Sequence, residues 1–351
     1  MRLRAFAAAI AASTLALAAC GGNDEPAGGT GGTTAAGTET EAPEGGETGG
    51  GEAGGGDADI DFLTIAAGGT SGPYYQIGAT ISQVFQEGLG SDSSVQATGA
   101  SVENVNLIAD GGAELAFAMG DAVRQAMEGT GPFEGDSHPD LQAVTALYPN
   151  FVQIVTIADT GITSVNDLAG RRVGVGDINS GVELNAQMIL EAHGMSYDDI
   201  EEDFLSYSEA IDQMKNGQVD AAFVTSGLPN AGVLDLATTN DVVIIPIEGE
   251  GMASLLELYP FFSENVVPGG LYDEEADVPT ASIMNQLLIT SDLSDDQVYE
   301  ITKTFWENID QIHASHNAAQ EITLESITQG LVPELHPGAV RYYEEVGADI
   351  G

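Results

Sequence analysis

Two short runs hold residues suited to chemistry: Gly68-Gly69-Thr70-Ser71-Gly72-Pro73 and Asp177-Ile178-Asn179-Ser180-Gly181. Each mixes glycine with hydroxyl or amide side chains. Each follows a short apolar run and precedes apolar residues at helical spacing, so each reads as a loop between a strand and a helix N-terminus. Main-chain N–H groups at such an opening, with the positive end of the helix dipole behind them, attract carboxylate or phosphate, and glycine lets the backbone approach closely. The hydroxyls of Thr70, Ser71, Ser101, Ser180 and Thr225 would orient the bound group. A single loop of this kind is often only a tight turn. Two in matching positions suggest one ligand gripped from both sides.

Catalysis has no comparable support. No Gly-x-Ser-x-Gly elbow, His-Glu-x-x-His motif, P-loop or dinucleotide fingerprint occurs. The histidines at 138, 193, 313, 316 and 336 fall in loops or the C-terminal helix, away from any candidate nucleophile. His313 and His316 read as a surface pair rather than a metal site. No cofactor is expected. Tyr74 and Tyr148 read as cleft residues and Tyr75 as core. Asp121 is the awkward residue, because an acid in an anion site repels the ligand unless it caps a helix or meets a ligand ammonium. An amino acid ligand would resolve that conflict.

Several elements must position these loops. Phe62–Ala67 reads as a strand, followed by a helix carrying Tyr74, Ile77, Ile81, Val84, Phe85 and Leu89. Val102, Val105, Leu107 and Ile108 mark a second helix, and Leu115–Met119 a buried strand. The same order returns about 105 to 110 positions later. There it comprises a strand at Arg172–Gly176, the Ser180-Gly181 loop, helices with Leu184, Met188, Ile189 and Leu190 and with Ala210, Ile211 and Met214, and a strand at Val219–Val224. That strand ends in Thr225-Ser226-Gly227. Two similar α/β lobes are expected, with 141–157 and 242–247 crossing between them as a hinge. Ser282–Thr290 offers a further strand. Ser294 and Gln297 make a capping box before a helix with Val298, Ile301, Phe305, Ile309 and Ile312 on one face, which should pack back on the first lobe.

The N-terminal region is of another kind. A basic start (Arg2, Arg4), an apolar stretch from Ala5 to Ala16 and the run Leu17-Ala18-Ala19-Cys20 have the layout of a secretory signal at 1–20. Small residues before a cysteine resemble a bacterial lipobox, which would make Cys20 a lipidated N-terminus. As the sole cysteine, Cys20 excludes an intramolecular disulfide. Residues 21–59, rich in Gly, Thr and Glu, cannot bury enough surface to offset the entropy of ordering, and read as a flexible linker. No later stretch is apolar enough to span a bilayer, so the membrane would be reached through lipid, in an extracytoplasmic location.

The chain has 55 acidic residues against 8 Lys and Arg, a net charge of −47. Nucleic acid is thereby excluded as a partner, since phosphate binding needs a basic surface. Self-repulsion of this size also implies a host that lives in high salt. The folded region holds only Arg124, Arg171, Arg172, Lys215, Lys303 and Arg341 as cations, so an anion would have to be held without arginine.

Gly68-Gly69-Thr70-Ser71-Gly72-Pro73-Tyr74-Tyr75-Gln76-Ile77-Gly78, Ala100-Ser101-Val102-Glu103-Asn104, Asp167-Leu168-Ala169-Gly170-Arg171-Arg172-Val173 with the Ser180-Gly181 loop, and Asp220-Ala221-Ala222-Phe223 together resemble the TAXI family of TRAP transporter solute-binding proteins. The resemblance covers about Asp61 to the C-terminus. It implies an α/β, two-lobed periplasmic-binding-protein-like fold (type II) with a hinge and an inter-lobe cleft. Lobe 1 would comprise 60–148 plus 258–351, and lobe 2 149–257. It further implies capture of a small carboxylate or amino acid such as glutamate or 2-oxoglutarate, and delivery to TRAP permease membrane subunits. Carried over by motif, the contacts would be Gly69, Thr70, Tyr74, Ser101, Asn104, Asp121, Tyr148, Asn179, Ser180, Gly181, Thr225 and Gly227. Family members often have a Gly-Ser-Gly-Thr run where this chain has Asp177-Ile178-Asn179-Ser180-Gly181-Val182, which bears on ligand identity. The competing readings are a binding protein of an ATP-driven importer, a sensor, and a hydrolase.

Overall fold

The computed structural model describes residues 59–272 and 274–351. The expected signal, Cys20 and nearly all of the linker lie outside the described residues. The first half of the fold runs β1 (Phe62–Ala66), α1 (Pro73–Gly88), β2 (Asp92–Gln96), α2 (Ser101–Ala109), β3 (Leu115–Met119) and α3 (Gly120–Glu128). The long strand β4 (Gln142–Ile157) leads to β5 (Arg172–Gly174), α4 (Gly181–Ala192), β6 (Glu201–Asp203), α5 (Tyr207–Lys215) and β7 (Ala221–Ser226). Then follow α6 (Ala231–Ala237), β8 (Val242–Ile245), α7 (Gly249–Leu258) and β9 (Ser263–Val267). A second long strand, β10 (Val278–Ile289), precedes α8 (Asp295–Glu307), α9 (Ile309–His313), β11 (Glu334–Leu335) and α10 (Pro337–Val346).

The expected repetition is present in the sheet. Strand β1 lies parallel between β2 and β3, and β5 lies parallel between β6 and β7. Strands β3 and β7 each pair antiparallel with a long strand, β10 and β4, and the two long strands pair with each other. The path is β2-β1-β3-β10-β4-β7-β5-β6. Parallel strands need crossover helices, which begin beyond the carboxyl ends of the strands. The openings of α1, α2, α4 and α5 are therefore placed by topology before any side chain is considered. Every residue of β3 and β7 is buried, as a sheet covered on both faces requires.

One crossing is as expected and one is corrected. Strand β4 pairs with β10 from Gln142 to Phe151 and with β7 from Phe151 to Thr156, so it serves both halves. The stretch 242–247 does not cross: β8 runs only beside Ile154–Ile157 of β4. The second long strand is β10, which meets β3 over Asn285–Ile289 and β9 over Val278–Ser282. A strand rises only about 3.3 Å per residue, so four residues are too few to serve two sheets. Val267 and Tyr272 pack with Val155, Val224 and Leu236. Val267 and Tyr272, beyond the expected boundary at 258, thus pack against second-half residues.

The C-terminal helices return to the first half. Val298, Ile301, Phe305 and Tyr343 share a core with Ile77, Ile81, Val84 and Phe85 of α1. Helix α8 starts at the Ser294/Gln297 capping box. It stops at Asn308, whose Nδ2 donates to the Thr304 carbonyl at 2.9 Å. Ile309 and Ile312 consequently belong to the separate helix α9 and not to one continuous apolar face.

Candidate ligand-binding site

Five helix openings share one cavity. The N-caps of α1 (Gly72), α2 (Ala100), α3 (Met119), α4 (Ser180) and α5 (Ser206) all line it. Three belong to the first half and two to the second. Gly72 and Ala100 provide no side-chain cap, so the first-turn N–H groups of α1 and α2 have no cap to bond, although Pro73 brings none and Glu103 N is taken by Asn179. On the other side Ser180 Oγ accepts from Glu183 N at 3.1 Å, and Ser206 Oγ from Glu209 N at 3.4 Å. Among the described residues no Lys or Arg lines the cavity. The positive potential comes from helix dipoles and peptide N–H groups alone.

The two halves meet closely around this space. A β-carbon on Gly181 would lie 2.8 Å from Ser101 Oγ, and one on Gly72 would lie 3.6 Å from Tyr207 Cε2. Glu103 N donates to the Asn179 carbonyl at 3.3 Å, joining the α2 opening to the second loop. Asn179 holds φ at 64°, a conformation that asparagine tolerates, and Ala100 holds φ at 77°, strained for a residue with a β-carbon. The cavity lies between the two halves and is lined by residues of both, among them Gly69, Ser101, Ser180 and Tyr207.

Two buried side chains face the cavity with nothing to bond: Asn150 Oδ1 and Thr225 Oγ1. Buried polar groups are almost always paired, so these two call for a partner supplied from the cavity. Tyr74 stacks on Phe117 at 5.0 Å between ring centres and donates its hydroxyl to Asn285 Oδ1. Tyr207 donates to the Thr225 carbonyl at 2.7 Å. Burial raises the pKa of both tyrosines, which keeps them as donors. Asp177 is the one acid on the wall. Its carboxyl has no hydrogen bond or ion pair among the described residues, and burial, helped by Glu209 and Glu103, raises its pKa.

Of the residues expected at the site, Gly69, Ser71, Tyr74, Ser101, Ser180 and Thr225 line the cavity. The others stand behind or beside it. Asn104 is bound up in the scaffold, with Nδ2 donating to the carbonyls of Ala67 at 2.5 Å and Phe117 at 2.7 Å. Tyr148 is fully buried under Tyr74, 6.5 Å between rings, and Gly227 packs against its ring. Thr70 and Asn179 are exposed, and Gly181 fills the seam between the halves. Asp121 is fully buried and accepts from Asn185 Nδ2 at 2.6 Å, across that seam. The acid on the cavity wall is Asp177 rather than Asp121.

Sequence reasoning overlooked Asn150, Asp177, Ser206 and Tyr207 as lining residues. Ser206 was findable, because Ser206 and Glu209 form a capping box that marks a helix opening. Asn150 sits inside a long strand, where no local pattern points to a ligand.

Such paired βαβ halves joined by two long strands, with helix openings turned to a shared cleft, define the two-lobed fold of periplasmic solute-binding proteins. The chain belongs to the NMT1-like family, whose model matches residues 65–347. Among solved structures it is similar to a protein of Bordetella bronchiseptica, at 16% identity and a TM-score of 0.53 over 82% of this chain and 99% of that one. It is also similar to PhnD1 of Prochlorococcus marinus in complex with methylphosphonate, at 13% identity and a TM-score of 0.50 over 74% and 91% of the two chains. A structure described as a periplasmic transporter matches at 12% identity and a TM-score of 0.51 over 82% and 93%. At these identities the likeness concerns the fold.

Proposed function

We propose that this protein captures a small carboxylate or amino acid outside the cytoplasm and presents it to a TRAP-type permease. The observation that carries the capture is the convergence of five helix openings on one cation-free cavity that also receives the unpartnered Asn150 Oδ1 and Thr225 Oγ1. Peptide donors of the first half suit a carboxylate, and the Asp177 carboxyl of the second half suits an ammonium. A zwitterion such as glutamate satisfies both. Binding from two halves favours a hinged closure, in which ligand contacts to both sides stabilise the closed form.

The delivery step rests on the TAXI resemblance of the Gly68–Gly78, Ala100–Asn104, Asp167–Val173 and Asp220–Phe223 runs. Acylation at Cys20 would hold the protein at the outer face of the membrane, with residues 21–59 as a tether. The rival reading is a binding protein of an ATP-driven importer. Uptake by membrane vesicles of the source cell supplemented with this protein separates the two: dependence on an ion gradient supports the TRAP reading, and dependence on ATP supports the rival.

The capture itself is tested by calorimetry in molar salt against L-glutamate, L-glutamine, 2-oxoglutarate and methylphosphonate. Saturable binding of one of the carboxylates, lost in S180W, is expected. Binding that survives S180W unchanged would place the ligand elsewhere and overturn the assignment.

A further inference from the structure

We propose that Asp121 and Asn185 form a proton-binding clasp between the two halves: closing the cleft places a proton on Asp121 Oδ1, which donates to Asn185 Oδ1. The clasp rests on the reading of the cleft as one that opens and closes. Asp121 is the second residue of α3 in the first half, and Asn185 lies on α4 in the second. Both are fully buried. Asn185 Nδ2 donates to Asp121 Oδ2 at 2.6 Å, while Asp121 Oδ1 and Asn185 Oδ1 have no partner among the described residues.

The chemistry of the pair is restrictive. A carboxylate can only accept, and an amide brings one accepting oxygen and one donating nitrogen to a planar partner. One N–H···O bond therefore leaves an acceptor on each group, and exchanging the amide oxygen and nitrogen leaves the same count. Two stranded acceptors in a buried seam are costly. A single proton removes both faults at once, converting the pair into a carboxylic acid–amide ring with two complementary hydrogen bonds.

No cation offers the alternative of a compensated carboxylate. On α3 itself Arg124 pairs outward with Glu128 at 3.6 Å, both half-exposed. Against α3 pack α2, β3, α4, β10 and the 131–133 turn. Glu103 of α2 holds Gly99 N, and on α4 Glu183 bonds Gln187 while Glu191 accepts from Tyr259. Strands β3 and β10 and the turn bring no charged residue. The Tyr74 hydroxyl feels the Asp121 charge, and burial keeps it neutral. Burial raises the Asp121 carboxyl to about 7, against the opposing pull of the Ala122 and Asp121 main-chain N–H groups and the Asn185 amide.

The sign of the linkage follows. The closed form has the raised pKa and so binds the extra proton, and closure strengthens as pH falls through that value and weakens as pH rises above it. With a closed-state value of about 7 and an ordinary carboxylate value when open, closure is about tenfold more favourable at pH 6 than at pH 8.

The test needs no ligand. Glu103 and Asn179, whose backbones touch across the seam, are both changed to cysteine, so that oxidation ties the halves together and reduction frees them. The carboxyl carbon of Asp121 is followed by NMR from pH 4 to pH 9 and assigned by its loss in D121N. Titration near 7 in the oxidised protein and in the ordinary carboxylate range in the reduced one is expected. An oxidised midpoint below pH 5, or equal midpoints in both forms, overturns the clasp. Should the disulfide fail to form, urea midpoints of the unmodified protein and D121N decide instead: the parent loses stability between pH 6 and pH 8 where D121N does not, and parallel curves overturn the proposal. Because neither readout uses a solute, a clasp that fails is distinguished from a solute reading that fails.

Discussion

Gly181 and Ser101 touch across the seam between the two halves, so closely that a β-carbon on Gly181 would fall 2.8 Å from Ser101 Oγ. The glycine is needed for the approach of two helix openings and not for an unusual φ, since Gly181 is not among the positive-φ glycines. A side chain here also meets Met119 Cε, the flexible end of a buried side chain that must swing aside for it. G181V is expected to weaken glutamate affinity at least tenfold and, through Met119, to lower the urea midpoint only modestly. A large loss of stability in G181V would show that the seam is a permanent interface and not a closing one.

Asp177 should set selectivity for a cationic group. Its carboxyl lines the cavity without a partner among the described residues, whereas the first half faces it with helix openings and the hydroxyls of Ser71 and Ser101. In D177N the preference for L-glutamate over glutarate, which lacks the ammonium, is expected to fall by about tenfold or more, corresponding to about 1.4 kcal/mol or more. Calorimetric titration of both compounds into both proteins measures it. An unchanged ratio assigns the ammonium, if any, to another acceptor.

The strand starts of the second half are tied by a charge pair. Arg172 Nε and Asp220 Oδ2 lie 3.0 Å apart, and Arg172 Nη2 reaches Asp220 Oδ1 at 2.5 Å. The Arg172 hydrogen bonds hold the Asp220 carboxyl below its ordinary pKa. A depressed folded-state pKa contributes stability at pH values above the unfolded value of about 3.9, and that contribution disappears as pH falls through the folded value. Acid unfolding of D220N should accordingly be shallower below pH 4 than that of the parent. The effect is small because the pair is partly exposed.

Salt should stabilise the fold. A net charge of −47 repels itself, and the screening length contracts from about 10 Å at 0.1 M salt to about 3 Å at 1 M. The melting temperature is expected to climb over that interval. A flat or falling Tm would show that local pairing, and not screening, balances the charge.

Local order was legible before any fold was known. The strand, glycine loop and helix at Phe62–Phe85 and at Arg172–Leu190, and the capping box at Ser294, follow from propensity, caps and apolar spacing, which act within a few residues. Their repetition along the chain was enough to suggest two halves with facing loops. Six of the expected contacts line the cavity for that reason: they lie on helix openings, and helix openings are written locally.

What local patterns could not reach is pairing between distant segments. Which apolar run crosses the halves depended on strand register, and β10 took the role expected of 242–247 because only its length serves two neighbours. Asp121 bonds a partner 64 positions away, and Asn150 turns an oxygen without a partner among the described residues to the cavity wall from inside a strand, and no local pattern contains either relationship. Burial, and hence the charge state of Asp121, is a property of what the rest of the chain packs around a residue. Desolvation acts through space, so only the assembled halves decide it.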